Sequence, residues 1–275
     1  AKCFVKEAAE CGADTVKFQL HIFSAESLPT APNPPYFDGE SREDYFERTS
    51  FSLSDWKELK RFSEEDCKVN FLVSPFSIEA VEILEELGVQ AYKVPSGEVT
   101  NLPLLEKIAE TSKSTYISSG MSNWSELDQA IKTLSNCKQV IPMQCTSSYP
   151  CEPESVGLNV IQEMQERYKL PIGFSDHTLG VSAAISAVAL GCVVVEKHFT
   201  FSNLMYGSDA ANSMEPNEFK KFCLSLKEAA IMRNKKVDKD DLTKYIGMKK
   251  TFEKSIVSAI NLKKGEVLCK NNITF

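Results

Sequence analysis

The sequence predicts an α/β fold whose parallel sheet closes into a (β/α)8 TIM barrel. Seven short β-rich runs alternate with stretches of helical periodicity, and this alternation implies parallel strands joined by right-handed crossovers. The runs are continuously apolar, which is typical of strands covered by helices. No glycine-rich GxGxxG turn follows any of them, which favours the barrel over the alternative, an open doubly wound sheet.

The element boundaries follow from these patterns. The predicted strands are 15–19, 69–74, 91–96, 115–119, 140–146, 171–176 and 193–198. The predicted helices are 1–11, 56–62, 78–87, 102–110, 124–134, 154–167, 181–190 and 218–231. Gly12 is expected to end the first helix and Ser54 to cap the second. We expect an eighth strand, the first of the barrel, to precede residue 1.

Two parts of the chain depart from this alternation. Residues 20–67 are polar and rich in proline and aromatic side chains, and connections this long are usually lids or extra subdomains. We expect a barrel domain over 1–232, truncated at its N-terminus, and a linker over 233–250. The start of a small β-rich domain, truncated at its C-terminus, would follow over 251–275. Its predicted strands are 255–260 and 267–270.

The composition excludes several functional classes. The 275 residues include 31 Lys and Arg against 38 Asp and Glu, a formal net charge of −7, whereas nucleic-acid binding needs positive charge. The longest low-polarity stretch, 181–195, is shorter than the roughly 20 apolar residues of a membrane span. Nine cysteines without any CxxC spacing indicate reduced thiols in a cytoplasmic protein rather than a zinc site or a disulfide framework.

Lysine and serine side chains collect where the predicted strands end, and the catalytic residues of a barrel lie at these ends. Two lysines with several serines suit a phosphate or carboxylate, because lysine supplies a point charge and serine a directional donor. The alternative for any single serine is that it caps the following helix. The anion-site candidates are Lys17, Ser74, Lys93, Ser96, Ser118, Ser147 and Ser175.

Two of the three histidines end the last two predicted strands. His177 and His198 are 21 residues apart, so adjacent strands would bring them together. Two imidazoles that leave ligand positions open suit a catalytic divalent metal. A general acid or base, or a structural histidine, is the alternative. The third histidine, His21, is expected to be ordinary loop polarity.

At these strand ends the sequence resembles the sialic acid (nonulosonic acid) synthases, which condense phosphoenolpyruvate with an N-acetylated hexose. The similarity is colinear over nearly the whole chain, and the motifs SDHT and EKHFT at their spacing are its most specific part. Residues 255–275 resemble the opening of that family's C-terminal antifreeze-like domain. The other matching segments are 16–19, 74–77, 93–98, 118–121, 145–150, 173–178, 196–200 and 207–209.

The resemblance implies a role for each candidate. The lysines and the five serines named above match the phosphoenolpyruvate site, and the two histidines match the site of a divalent metal, Mn²⁺ or else Mg²⁺ or Co²⁺. The implied catalytic residues are Lys17, Lys93, His177 and His198. The implied sugar-site residues are Gln19, Phe76, Tyr149 and Asp209. A domain-swapped homodimer is also implied, in which the antifreeze-like domain of one subunit caps the barrel of the other.

The implied reaction joins C3 of phosphoenolpyruvate to the aldehyde of the open-chain sugar. Water then adds at C2, and phosphate leaves by C–O cleavage. The expected sugar is N-acetylmannosamine, giving N-acetylneuraminate, and legionaminate or pseudaminate synthase is the alternative within the family. The alternatives of other classes are a metal-dependent pyruvate aldolase and a catalytically degenerate homologue that serves as a binding or assembly protein.

Several positions depart from the family's pattern. Ser202 and Asn203 stand where an Asp-Lys or Asp-Arg pair is usual, and Ala210 stands where many members have His. The family's first-strand acidic residue would precede Ala1, and the arginine of its last domain would follow Phe275. We therefore expect this chain to be an inactive or unstable fragment of an active synthase, since a barrel that lacks a strand exposes two unpaired edges.

Overall fold

Seven parallel strands form one sheet in a computed structural model, which describes residues 1–33 and 39–275. Their order in the sheet is their order in the chain, and every neighbouring pair is parallel. This confirms the predicted parallel sheet and contradicts the doubly wound alternative, whose strand order reverses at a switch point. The strands are β1 (Thr15–Leu20), β2 (Asn70–Pro75), β3 (Ala91–Val94), β4 (Ser114–Ser118), β5 (Val140–Cys145), β6 (Gly173–Asp176) and β7 (Val194–Lys197).

Helices connect the strands in the predicted rhythm. Each of the last six strands is followed by one long helix before the next strand or the end of the sheet. The helices in this part of the chain are α1 (Lys2–Glu10), α2 (Phe23–Glu26), α3 (Arg42–Thr49), α4 (Leu53–Arg61), α5 (Ile78–Leu87), α6 (Leu102–Glu110), α7 (Trp124–Thr133), α8 (Leu158–Tyr168), α9 (Ser182–Leu190) and α10 (Pro216–Asn234).

Local capping chemistry sets the helix ends. The cap of α4 is Ser52 and not the predicted Ser54: Ser52 Oγ accepts the N–H of Asp55 at 3.2 Å, and the Asp55 carboxylate accepts the N–H of Ser52 at 3.1 Å. Gly12 has a φ of 101° just after α1, as predicted. Helix α8 begins later than predicted, because Gly157 before it has a φ of 69° in the left-handed region.

The sheet curls until its first and last strands face each other. Lys17 Nζ on β1 lies 2.9 Å from Glu196 Oε1 on β7, although no backbone ladder joins these two strands among the described residues. A single apolar core joins strand and helix side chains, and each fully buried leucine or isoleucine in it contributes about 1.5–3 kcal/mol. Its fully buried members include Val73, Val81, Leu84, Tyr92, Val94, Leu105, Ile108, Ile117, Leu134 and Ile161.

The connection between β1 and β2 contains α2, α3 and α4. We call residues 21–52 the β1–β2 insertion. The proline and aromatic residues at 34–37, which mark it in the sequence, lie outside the described residues. Within residues 1–33 and 39–275, none of the helices combines the length and the apolar character that crossing a membrane requires. All nine cysteines are free thiols in the described chain.

Residues 234–275 form a compact unit of their own, and residues 1–233 form the other. The smaller unit contains one α-helix and a two-stranded antiparallel sheet. These elements are α11 (Ile246–Phe252), β8 (Val257–Ser258) and β9 (Ile273–Thr274).

The strand predicted over 267–270 is wrong. The N–H of Cys269 donates to Asn272 Oδ1 at 2.8 Å, and Asn272 Nδ2 donates to the carbonyl of Val267 at 3.0 Å. The backbone of this segment therefore bonds to one buried side chain instead of a neighbouring strand, and β9 beyond it pairs with β8.

Candidate functional site

Two lysines and one glutamate meet inside the curled sheet. Lys17 Nζ donates to Glu196 Oε1 at 2.9 Å, and Lys93 Nζ lies 3.7 Å from Glu196 Oε2. Lys93 Nζ also donates to Ser118 Oγ at 2.7 Å, and Ser175 Oγ donates to Glu196 Oε1 at 3.2 Å. We call Lys17, Lys93 and Glu196 the lysine–glutamate cluster. Its members come from β1, β3 and β7, so the curvature of the sheet assembles it.

The cluster has more positive than negative charge. Only 2 % of Lys93 is exposed, and this burial lowers its pKa to about 8, although the Glu196 charge raises it. Burial alone would raise the pKa of Glu196, but the charges of Lys17 and Lys93 hold that pKa well below its usual range. At neutral pH two ammonium groups therefore face one carboxylate, and an anionic ligand can neutralise the excess charge.

Glu196 lies in the EKHFT motif but is absent from the predicted site residues. A signal for it was available, because residues i and i+2 of a strand face the same side of a sheet. If His198 points into the site, Glu196 does too. Its register partner on β6 is Ser175, which is a predicted anion-site residue.

Two of the predicted serines gather around Gly120, which follows β4. Ser96 Oγ accepts the N–H of Gly120 at 3.0 Å. A Cβ on Gly120 would stand 2.8 Å from Ser96 Oγ and closer still to Ser147 Oγ, so only glycine fits between these hydroxyls. The result is a small polar cradle of the kind that receives the oxygens of an anion.

Ser74 on β2 differs from the other serines. Its Oγ is fully buried and has no hydrogen-bond partner within the part of the chain that the structure describes. An orphaned buried hydroxyl costs about 1–3 kcal/mol, so its presence calls for a ligand that completes its bonding. The alternative, that it caps the following helix, is wrong, because the cap of α5 is Ser77.

His177 and His198 come together, with ring centroids 5.5 Å apart. His177 Nδ1 lies 2.7 Å from the carbonyl oxygen of Thr146, which can only accept, so Nδ1 is the protonated nitrogen. His198 Nδ1 faces Asp209 Oδ2 at 3.7 Å. Both rings therefore turn Nδ1 toward an acceptor, through a hydrogen bond in His177 and at a longer distance in His198.

This arrangement fits a divalent cation bound by two imidazoles. A backbone carbonyl or a carboxylate that faces one ring nitrogen is the usual partner of a histidine whose other nitrogen binds a metal. Burial lowers the pKa of His198 against the opposing effect of Asp209, and the Lys17 charge lowers it further, which favours the neutral imidazole that metal binding requires. Within residues 1–33 and 39–275, no group of three or more histidine, cysteine or carboxylate side chains is placed to hold a metal ion.

Two of the four predicted sugar-site residues lie beside the histidines. The ring of Tyr149 stands 4.2 Å from that of His177 and 5.9 Å from that of His198, and half of Tyr149 is exposed. Asp209 is the residue that faces His198 Nδ1. These contacts place an aromatic face and a carboxylate at the mouth of the site.

The other two predicted sugar-site residues lie toward the β1–β2 insertion. Gln19 lines a cavity of about 510 Å³ together with residues of the insertion. Phe76 stacks on His21 at 3.9 Å, and Phe46 of the insertion stacks on the other face of that ring at 4.1 Å. The expectation of ordinary loop polarity for His21 is wrong, because this ring also lies 2.7 Å from Glu26 Oε1 through Nδ1.

The β1–β2 insertion also meets the loop after β7. Arg48 Nη2 donates to Glu40 Oε1 at 2.6 Å and to Tyr206 Oη at 3.1 Å, and Tyr206 Oη donates to Glu40 Oε1 at 3.1 Å. We call these three residues the Arg48–Tyr206 latch. Tyr206 precedes Asp209 by three residues, so the latch ties the insertion to the segment that faces His198.

Comparison with known proteins gives consistent matches. The chain is 35 % identical over 287 residues to the N,N′-diacetyllegionaminic acid synthase of Campylobacter jejuni, covering 100 % of this chain and 84 % of that protein. It is 34 % identical over 285 residues to the human N-acetylneuraminate-9-phosphate synthase, covering 100 % of this chain and 77 % of that protein. Both relatives are nonulosonic acid synthases by name.

The fold matches as well. The crystal structure of an N-acetylneuraminic acid synthetase from Leptospira borgpetersenii, in complex with citrate, superposes with a TM-score of 0.76 at 27 % identity, covering 92 % of this chain and 87 % of that one. The model of the NeuB family matches residues 4–238, which contain the whole sheet and every site residue described above. The chain therefore belongs to the NeuB family.

Proposed function

We propose that this protein is a nonulosonic acid synthase that condenses phosphoenolpyruvate with an N-acetylated hexosamine and releases phosphate. The observation that carries the proposal is the lysine–glutamate cluster, in which two cations share one carboxylate beside a pair of oriented imidazoles. Family membership supports the same class. The proposed sugar is N-acetylmannosamine, and a 2,4-diacetamido sugar leading to legionaminate or pseudaminate is the second candidate, because the legionaminic acid synthase is an equally similar relative.

Phosphoenolpyruvate would bind at the inner end of the site. Its phosphate and carboxylate would take up the excess positive charge of the lysine–glutamate cluster. The cradle around Gly120 and the orphaned hydroxyl of Ser74 would supply directional donors. The hydroxyls of Ser118 and Ser175, which bond to the lysine–glutamate cluster, would also bond to the ligand.

His177 and His198 would hold a divalent cation, Mn²⁺ or else Mg²⁺ or Co²⁺, through Nε2. When bound, such a cation supplies Lewis-acid polarisation of the sugar aldehyde oxygen. Thr146 and Asp209 would fix the orientation of the two rings through their Nδ1 atoms. The exposed ring of Tyr149 would provide a surface for the sugar beside the histidines.

In the proposed reaction, C3 of phosphoenolpyruvate attacks C1 of the open-chain sugar, and positive charge develops at C2. Water adds at C2 and loses a proton, and the C2–O bond to phosphate then breaks. Lys17 and Lys93 would stabilise the negative charge on the departing phosphate, because both ammonium groups are already fixed by Glu196 and need no reorganisation. The products are the nonulosonic acid and inorganic phosphate.

The departure at Asn203 does not favour a degenerate homologue. Asn203 Nδ2 donates to the carbonyls of Ala210 and Ser213 at 2.8 and 2.7 Å, and its N–H donates to Glu215 Oε1 at 2.9 Å. It therefore organises the loop that carries Asp209.

We also propose a cytoplasmic homodimer, and light scattering on the full-length protein tests the dimer.

The test is phosphate release from phosphoenolpyruvate by the full-length protein with Mn²⁺ and each candidate sugar in turn. We expect release that depends on one sugar and that is abolished by a chelator and by His198→Ala. A folded protein that releases phosphate with none of these sugars would overturn the proposal and favour a binding or assembly role. Turnover with pyruvate in place of phosphoenolpyruvate would favour the aldolase alternative.

A further inference from the structure

The residues that precede the two histidines form a buried ion pair. Lys197 Nζ lies 2.9 Å from Asp176 Oδ2, and the two side chains are 2 % and 0 % exposed. Asp176 and Lys197 are register partners on β6 and β7. The pair thus joins the two strands at the position immediately before His177 and His198.

The ion pair lies on the face of the sheet opposite to the site. Side chains alternate along a strand, so Ser175 and Glu196 face the interior and the next residue on each strand faces the helices. The Lys197 ammonium accordingly lies 6.0 Å from the ring of Phe222 on α10. The histidines that follow face the interior again, where their rings meet.

The pair also fixes the backbone after β6. Lys197 Nζ donates to the carbonyls of Thr178 and Gly180, and Asp176 Oδ1 accepts the N–H of Thr178 at 2.9 Å. His177 is therefore enclosed between Asp176 and a loop that is bonded to the same ion pair. All three donor positions of the ammonium have acceptors, so the group is fully satisfied without a ligand.

Stability alone does not account for such a pair. Removing two charges from water carries a large free-energy cost, and replacing a buried ion pair with apolar groups of similar volume is often neutral or stabilising. Register specification is the best-attested use of buried polar groups. In this protein the register of β7 needs such specification, because β7 is paired only with β6 in the described sheet. A shift of one residue would turn His198 away from His177.

We propose that Asp176 and Lys197 are positioning residues, whose cross-strand ion pair sets the register and spacing of His177 and His198 for a divalent cation. The inference rests on the histidine pair of the proposed function. Neither residue contacts the cation or the substrates, and both act through the backbone of the histidine beside them. Loss of a group that orients metal ligands typically weakens metal binding by about 10–100-fold.

The test compares two double variants of the full-length protein. D176N/K197M neutralises the pair without changing the net charge. The matched control, K60M/E64Q, neutralises a partly buried pair on the α4 side of the molecule, where Lys60 Nζ lies 2.7 Å from Glu64 Oε2. Mn²⁺ affinity is measured by electron paramagnetic resonance of the free ion, phosphoenolpyruvate affinity by calorimetry without metal, and folding by urea unfolding.

We expect D176N/K197M to bind Mn²⁺ about tenfold more weakly or worse, with phosphoenolpyruvate affinity within about twofold of wild type. We expect the control to match wild type in both. Unchanged Mn²⁺ affinity in a folded D176N/K197M would overturn the proposal, as would a parallel loss of both affinities, which indicates general loosening. If that variant does not fold, Lys197→Arg replaces it in the test. Lys197→Arg keeps the positive charge but not the geometry that bonds three acceptors, and the proposal requires that it weaken Mn²⁺ binding severalfold.

A further variant separates this inference from the proposed function. If His198→Ala binds Mn²⁺ as well as wild type does, the histidine pair is not the metal site, and the proposed metal role and this inference both fail. If His198→Ala loses Mn²⁺ while D176N/K197M retains it, only the positioning inference fails.

Discussion

Two clusters of charged side chains lie one residue apart on β7, and they differ in net charge and in exposure to solvent. Glu196 faces the interior, where it meets Lys17 and Lys93, so the cluster has two cations for one anion. Lys197 faces the helices, where it forms an ion pair with Asp176, and the pair is neutral and buried from solvent. The Lys17 and Glu196 side chains remain 24 % and 21 % exposed.

The difference separates the proposed binding role from the proposed positioning role of the same chemical groups. A cluster with excess charge and partial exposure can gain free energy by accepting an anion. A neutral pair whose donors are all satisfied has neither excess charge nor a free donor with which to bind a ligand, but it resists any change in the register of its strands. Charge balance therefore distinguishes the two roles, whereas residue type does not.

The largest expected effect separates the two clusters by stability. Lys197→Met leaves the Asp176 carboxylate buried without a partner, and this should lower the free energy of unfolding by about 3–5 kcal/mol. Lys17→Met should lower it by less than about 1 kcal/mol, because Lys17 is partly exposed and Lys93 still faces Glu196. Urea unfolding measures both, and equal losses would remove the distinction.

The next effect concerns catalysis. Lys93→Met should lower kcat/KM for phosphoenolpyruvate by about 10²–10³-fold, because the proposed reaction then loses a fixed cation that stabilises the departing phosphate. Lys113→Met is the matched control: it removes the same charge near the start of β4, where Lys113 Nζ lies 2.5 Å from Glu85 Oε1. Steady-state kinetics should leave the control near wild type, and a similar loss in both variants would contradict a specific role for Lys93.

A smaller effect is expected from pH. The pKa of Lys93 is lowered by burial to about 8, so its ammonium loses its proton as the pH rises through that value. Phosphoenolpyruvate affinity, measured by calorimetry without metal, should be constant near pH 7 and fall by up to about tenfold per pH unit above 8. In Lys93→Arg the guanidinium stays charged, so this dependence should vanish whatever the absolute affinity. A persistent fall in Lys93→Arg would assign the titration to another group.

The smallest effect is expected at the Arg48–Tyr206 latch. Tyr206→Phe removes the hydroxyl that bonds to both Arg48 and Glu40, which remain bonded to each other, and exposed contacts of this kind contribute little free energy. The KM of the sugar should rise by up to about fivefold with the KM of phosphoenolpyruvate unchanged. Tyr168→Phe, which removes a hydroxyl bonded to Asp128 on the outer helices, is the control and should change neither constant.

Much of the fold was predictable from local sequence. Buried parallel strands are continuous apolar runs, so all seven strands of the sheet were predicted near their observed positions. The strand ends then pointed to lysine, serine and histidine as site candidates. The segment 267–270 was predicted wrongly, because its apolar run resembles a strand while the side chain of Asn272 takes its backbone bonds.

The contacts between distant residues were not predictable in the same way. Glu196 meets Lys17 only because the sheet curls, and curvature leaves no local pattern in the sequence. The Asp176–Lys197 pair depends on the register of β6 and β7, which becomes definite only when the strands pair. The latch depends on the path of the β1–β2 insertion, which hydrophobic periodicity does not specify.

Anion binding at the lysine–glutamate cluster is tested most directly by calorimetry of phosphoenolpyruvate binding to the full-length protein without metal. The proteins compared are wild type, Lys17→Met and D176N/K197M. We expect wild type to bind, Lys17→Met to bind at least about tenfold more weakly, and D176N/K197M to bind within about twofold of wild type. Binding that is unaffected in Lys17→Met, or lost equally in both variants, would contradict the assignment of anion binding to the lysine–glutamate cluster.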